Sequence, residues 1–408
     1  MLLKSLSWNT LGNCVYFFSL WLISVFVVWL SEDFENPGNL ALAMTVTNVF
    51  VCVALYNVRP FQVSDTKNEF TDTHYIGARL TSCLASVLFT VAFVLIVGYT
   101  ARQVVIIVTY MVFRSVEALI DVFHGISQKK WRMDLVGISL AARGLLMLAA
   151  FTVLLYVRDF TAAIFGMLVS AVAVGVFYDF RKTKFSNGFF CTTKICHKQT
   201  FALLVKCFPL MIVMLVNVLI MSYPRYVLER VMGTEALGIY ATVAAPAQVV
   251  NLAGLIVLTP LTNIFAQHVE KGEGEKFRKL TYLCGAAILT GTTVAAIASM
   301  FIGRWGLALI FGEGVSEYAY VLPGIVFSVG LLVMLLLLNI AYTAIRDIKN
   351  LTIGNLIGVL FCFGFSGFFV ERFGLLGVNY VLIISMAVSI LFLFARFFFG
   401  SAKFIKTQ

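Results

Sequence analysis

Apolar runs of about 17 to 25 residues alternate with short polar breaks along the whole chain. Twelve runs are drawn, near 10–30, 38–58, 80–98, 104–124, 136–157, 161–178, 203–223, 237–260, 281–303, 320–343, 353–370 and 377–397. A helix satisfies every backbone polar group within one segment, so runs of this length predict membrane-spanning helices. The pattern predicts an all-α polytopic membrane protein with about 12 transmembrane helices. Short connections at 31–37, 99–103, 158–160 and 371–376 predict antiparallel neighbours, and an even count places both termini on one side.

Composition agrees with this reading. Of 408 residues, 61% are apolar and 12% charged, whereas soluble domains run nearer half and a quarter. Lys plus Arg exceed Asp plus Glu by 30 to 20, a net charge of +10. Distributed over the spans, 22 of those cations fall on the side of the termini; Arg102, Arg158, Arg225, Arg230, Arg304 and Arg372 fall on the other, and Arg114 and Arg143 lie within spans. Cationic loops resist translocation, so both termini are expected in the cytoplasm. The +10 is then a signature of topology: it implies no nucleic-acid partner, although the basic loops favour anionic lipid headgroups. The run Leu11 to Leu30 exceeds a signal-peptide core and leads into Ser31-Glu32-Asp33-Phe34-Glu35, which makes it the first span. No G-x4-G-K-[ST] loop is present, so active transport would be secondary.

The longest basic connection divides the spans six and six. The expected organisation is an N-lobe at 1–180, a basic cytoplasmic linker at 181–202 and a C-lobe at 203–408, two six-helix lobes related by a pseudo-two-fold axis along the membrane normal. Gly38-Asn39-Leu40-Ala41-Leu42-Ala43 before the second span echoes Glu235-Ala236-Leu237-Gly238-Ile239-Tyr240-Ala241 before the eighth, and a hydrophilic stretch follows the second span of each half.

The fourth span carries charge where charge is costly. Arg114, Glu117, Asp121 and His124 recur at i, i+3, i+7 and i+10, within an arc of about 80° that also holds Tyr110. Arg143 lies at a comparable depth in the fifth span. Two readings stay open: a self-neutralising set of ion pairs, or the polar wall of a substrate cavity in which Arg114 or Arg143 engages an anionic group. On the second reading Glu117 and Asp121 are the candidates for coupling to H+ or Na+. Pro224 is expected to kink or end the seventh span near the external face, beside Arg225. Cys191, Cys196 and His197 form a C-x4-C-H whose spacing is off pattern for zinc, so reduced loop thiols are the expectation, with no metal or cofactor.

The string Pro224-Arg225-Tyr226-Val227-Leu228-Glu229-Arg230-Val231-Met232-Gly233-Thr234-Glu235-Ala236-Leu237-Gly238-Ile239-Tyr240-Ala241 resembles the segment joining spans seven and eight in bacterial polysaccharide flippases. These belong to the multidrug/oligosaccharidyl-lipid/polysaccharide exporter (MOP) superfamily, and the likeness is strongest over about 205 to 270. The resemblance implies two six-helix lobes around a cationic cavity and alternating access in the bacterial inner membrane. It implies as substrate an undecaprenyl-pyrophosphate-linked oligosaccharide for O-antigen, capsule or similar lipopolysaccharide-type surface polymers. In that frame Arg114, Arg143, Arg59 and Arg225 are candidate pyrophosphate or sugar partners. Relatives that flip peptidoglycan precursors usually carry fourteen spans, which counts against that assignment. The alternative is a cation-coupled multidrug extruder on a related fold, which would need an acidic residue free of Arg. A membrane enzyme such as a polymerase or acyltransferase would be expected to carry a large external loop or a His-based motif, and the chain has only His74, His124, His197 and His268.

Overall fold

The protein is described here from a computed structural model covering residues 2–65, 69–183 and 197–404. Helices follow the apolar runs and exceed them by a few residues at most ends. They are α1 (Leu2–Trp29), α2 (Glu35–Leu55), α3 (Val58–Ser64), α4 (Asp72–Val97), α5 (Ala101–Lys129), α6 (Met133–Val157), α7 (Phe160–Val174), α8 (His197–Ala244), α9 (Gln248–Glu270), α10 (Gly274–Phe311), α11 (Leu322–Ala344), α12 (Ile348–Phe373) and α13 (Leu375–Phe404). A π-turn, Gly175–Phe180, extends α7. Polar residues at the breaks start and stop these helices. Thr100 accepts from the Gln103 N–H at the start of α5, with the Gln103 side chain reaching back to complete a capping box. Asp159 caps α7 through the Ala162 N–H, and Gly98 ends α4 at φ 77°.

Among the described residues, eleven helical stretches are long and apolar enough to cross a membrane. One of them, Lys198–Asn251, has 54 residues and would measure about 80 Å at 1.5 Å per residue, far beyond one bilayer crossing. It is broken at Gly233, where φ 87° and ψ 171° leave the helical region. The two sides of that break, the second continued by α9, supply the expected spans seven and eight. Of the kink or end expected at Pro224, the end is not found: the helix runs on to Met232 and the glycine makes the break.

The chain divides into two compact units, Met1–Val218 and Leu219–Gln408. The first half of α8 belongs with unit 1 because Leu203 and Cys207 are buried in a cluster with Val58, Phe70, Tyr75, Ala78 and Val122. Within unit 1, α5 is central and packs on α2, α4, α6 and α7, while α1 lies along α6. Gly12 and Gly137 let those two backbones approach so closely that a Cβ on either would collide with the other helix's main chain. Within unit 2 the same order recurs: α11 is central and packs on α9, α10, α12 and α13. The first span of that unit meets α12, where the Tyr223 and Phe363 rings stand 4.0 Å apart.

Candidate functional site

The charged face of α5 is built against three other helices. Asp121 lies under two guanidinium groups: Arg59 Nη1 at 2.7 Å on one oxygen and Arg79 Nη2 at 3.0 Å on the other. Arg59, on α3, also donates to Gln128 Oε1, two helical turns further along α5. Arg79 is completely buried and does a second job. Its Nη1 donates to the carbonyls of Ala54 and Leu55, the last of α2, which ends in two residues of positive φ, Tyr56 and Asn57. Those carbonyls have no helical partner and carry the negative end of the helix dipole, so a cation there satisfies both needs.

One turn earlier on α5, Glu117 gathers a second cluster. Arg114 Nη1 donates to it at 2.8 Å, and the hydroxyl of Tyr16 on α1 donates to Oε1. Arg143 on α6 brings Nε to 3.5 Å of the same oxygen and stacks its guanidinium 4.9 Å above the Tyr16 ring. The Arg143 approach is at ion-pair range without hydrogen-bond geometry, so its Nε and Nη1, like Arg114 Nε and Arg79 Nε, are buried donors that remain unpaired.

Span four therefore carries ion pairs and a surplus of cations together. Every carboxylate on the face is ion-paired, yet four guanidinium groups meet only two carboxylates, an excess of two positive charges. The excess is graded in depth: Arg79 and Arg143 are sealed, while the side chains of Arg59 and Arg114 keep 25% and 24% exposure. Arg225 stands apart in unit 2, with its guanidinium 5.8 Å over the Tyr240 ring and its Nε buried without a partner. The Tyr240 hydroxyl in turn donates to Asn379 Oδ1 at 2.8 Å.

Sequence reasoning placed Arg114, Glu117, Asp121 and Arg143 together but counted Arg79 among loop cations and gave Tyr16 no role. Arg79 shares the capping of α2 with the Tyr56 N–H, which reaches the Cys52 carbonyl, and with the Ser82 hydroxyl on the Ala54 carbonyl. Among the described residues no group of three or more His, Cys, Asp or Glu could hold a metal ion; Cys191 and Cys196 lie outside the described residues.

No family model matches the chain. A capsular polysaccharide biosynthesis protein of Staphylococcus aureus, CapF, is 26% identical over 406 residues, covering 96% of this chain and 98% of the relative. A solved multidrug resistance MATE family transporter of the MOP superfamily, in its inward-facing conformation, superposes with a TM-score of 0.73 at 11% identity, over 98% of this chain and 99% of that one. The chain has the MOP-superfamily fold. A MOP superfamily transporter from Pyrococcus furiosus matches with a TM-score of 0.65 at 14% identity, over 100% and 96%. The likeness to the S. aureus protein spans nearly the whole sequence, well beyond residues 205 to 270.

Proposed function

We propose that the chain is a secondary transporter, not an enzyme, that flips an undecaprenyl-pyrophosphate-linked oligosaccharide from the inner to the outer leaflet of the bacterial cytoplasmic membrane. The product serves surface polysaccharide synthesis, of O-antigen or capsule type, and the two lobes alternate access with both termini cytoplasmic. The observation that carries this reading is the excess of two guanidinium charges on the α5 face, with partly exposed Arg59 and Arg114 at its open side. Uncompensated positive charge within a membrane is costly, and a pyrophosphate would neutralise it. The forked guanidinium matches two phosphate oxygens at once. The name of the S. aureus relative, a capsular polysaccharide biosynthesis protein, supports the same substrate class.

The multidrug alternative fares worse. It needs a carboxylate free to take up and release a cation, and Glu117 and Asp121 each face two guanidinium groups. Deletion of the gene tests the proposal: lipid-linked oligosaccharide should accumulate on the cytoplasmic leaflet while its assembly continues. Unchanged display of surface polysaccharide after deletion would overturn the reading.

A further inference from the structure

Below Asp121 on α5, His124 is buried at 4% exposure against Ser139 of α6, at 0%, and Asp179 of the π-turn, at 4%. His124 Nε2 lies 3.2 Å from Ser139 Oγ and 3.2 Å from Asp179 Oδ1, and Ser139 Oγ donates to Asp179 Oδ2 at 2.8 Å. Hydrogen-bond accounting fixes one proton. With the serine hydrogen committed to Oδ2, both atoms facing Nε2 are acceptors, so Nε2 carries hydrogen and the exchangeable proton is the one on Nδ1. With it, imidazolium faces carboxylate and the set is neutral; without it, a buried negative charge stands alone.

From this geometry we infer that His124 and Asp179 form the protein's proton-binding site, the place where a coupling proton is held and released. The inference rests on the proposal of secondary transport and moves coupling away from Glu117 and Asp121. Those carboxylates are paired to guanidinium groups, which keep their protons at any physiological pH. An imidazole, unlike a guanidinium, can exist in a charged and a neutral form, and both are donors at one ring nitrogen. Charged and titratable groups on the surrounding elements are otherwise engaged. Asp121 is held by Arg59 and Arg79, Asp134 at the start of α6 by Arg132 and Ser5, and Tyr178 adjoins Asp179 on the π-turn. The second observation is the π-turn itself. Such turns are rare, costly insertions that cluster at functional positions, and this one supplies the acidic partner. Releasing the proton removes the ionic part of the attraction between the turn and α5 and leaves the Nε2–H and Ser139 hydrogen bonds to Asp179, so proton occupancy and the position of this end of span six are linked.

Hydrogen exchange on the full chain in nanodiscs tests the inference, with rates at 175–183 corrected for intrinsic base catalysis. The wild type should show opening that rises with pH and approaches tenfold per pH unit at its steepest, the slope for release of one proton. The neutral pair H124Q/D179N should fold, keep the turn closed independently of pH, and lose polysaccharide display. A pH-independent wild type, or normal display in H124Q/D179N, would overturn the inference. The flippase reading fails separately: if R114A/R143A keeps normal display while the wild-type exchange slope stands, the proton site survives and the pyrophosphate site does not.

Discussion

The helices α5 and α11 occupy the same place in their units. Each is the fourth span of its half, and each packs on the second, third, fifth and sixth spans of that half. Their chemistry differs. Where α5 carries Arg114, Glu117, Asp121 and His124, α11 has no residue charged at neutral pH, and its buried polar groups answer locally or to a neighbouring backbone. Ser328 donates to Ile325 O and Tyr342 to Leu393 O, at 2.8 and 2.7 Å. One packing position is thus filled in two ways, and the apolar filling shows that the architecture does not require charge there. Buried ion pairs are often no better for stability than hydrophobic residues of similar volume. The charges on α5 are therefore not a demand of the packing position.

The largest difference between the two units is expected at Arg79. R79A leaves Asp121 with one partner and the Ala54 carbonyl with only the Ser82 hydroxyl, takes away the guanidinium that meets the Leu55 carbonyl, and should cost about 3–5 kcal/mol in detergent unfolding. A loss near 1 kcal/mol would mean that the network is not the structural centre of unit 1. Next in size is Y16F, which removes a hydrogen bond to an ionised Glu117 but leaves the ring under Arg143. About 1.5–3 kcal/mol is expected, against about 1 kcal/mol for Y342F, whose hydroxyl meets a neutral carbonyl on α13. Equal losses would erase the contrast between the units.

The smallest effect is a pH dependence at Asp65 in unit 1. Burial works to raise the Asp65 carboxyl, but the N–H groups of Glu69 and Phe70 and the Tyr75 hydroxyl outweigh it and hold it below the ordinary carboxylate range. A carboxyl depressed in the folded state contributes stability above its unfolded value, about 3.9, and loses it as pH falls through the folded one. The stabilities of wild type and D65N should converge as the medium is acidified below about pH 4, and a constant gap would contradict this.

The spans were legible because hydrocarbon imposes one rule on every residue of a run. The α5 face was legible because a charge in such a run is an exception, and helical spacing places exceptions on one side. What the sequence could not deliver is pairing over distance. Arg79 follows the polar stretch after α3 and reads as a loop cation until α4 is seen to begin at Asp72. Tyr16 looks like any aromatic of a first span, and its contact with Glu117 joins residues 101 positions apart. The break at Gly233 was masked by Pro224, the louder local signal, which a membrane helix accommodates where neighbouring groups satisfy its freed carbonyl.

The central claim is that the surplus guanidinium charge of α5 and its neighbours exists to hold the diphosphate of a glycolipid. Surface polysaccharide in cells carrying R114A/R143A, with membrane insertion verified on the same samples, tests it most directly. The account predicts normal insertion and loss of display, with part of it restored by R114K/R143K. Full display in the double alanine variant would contradict it and leave the charges as internal ion pairs.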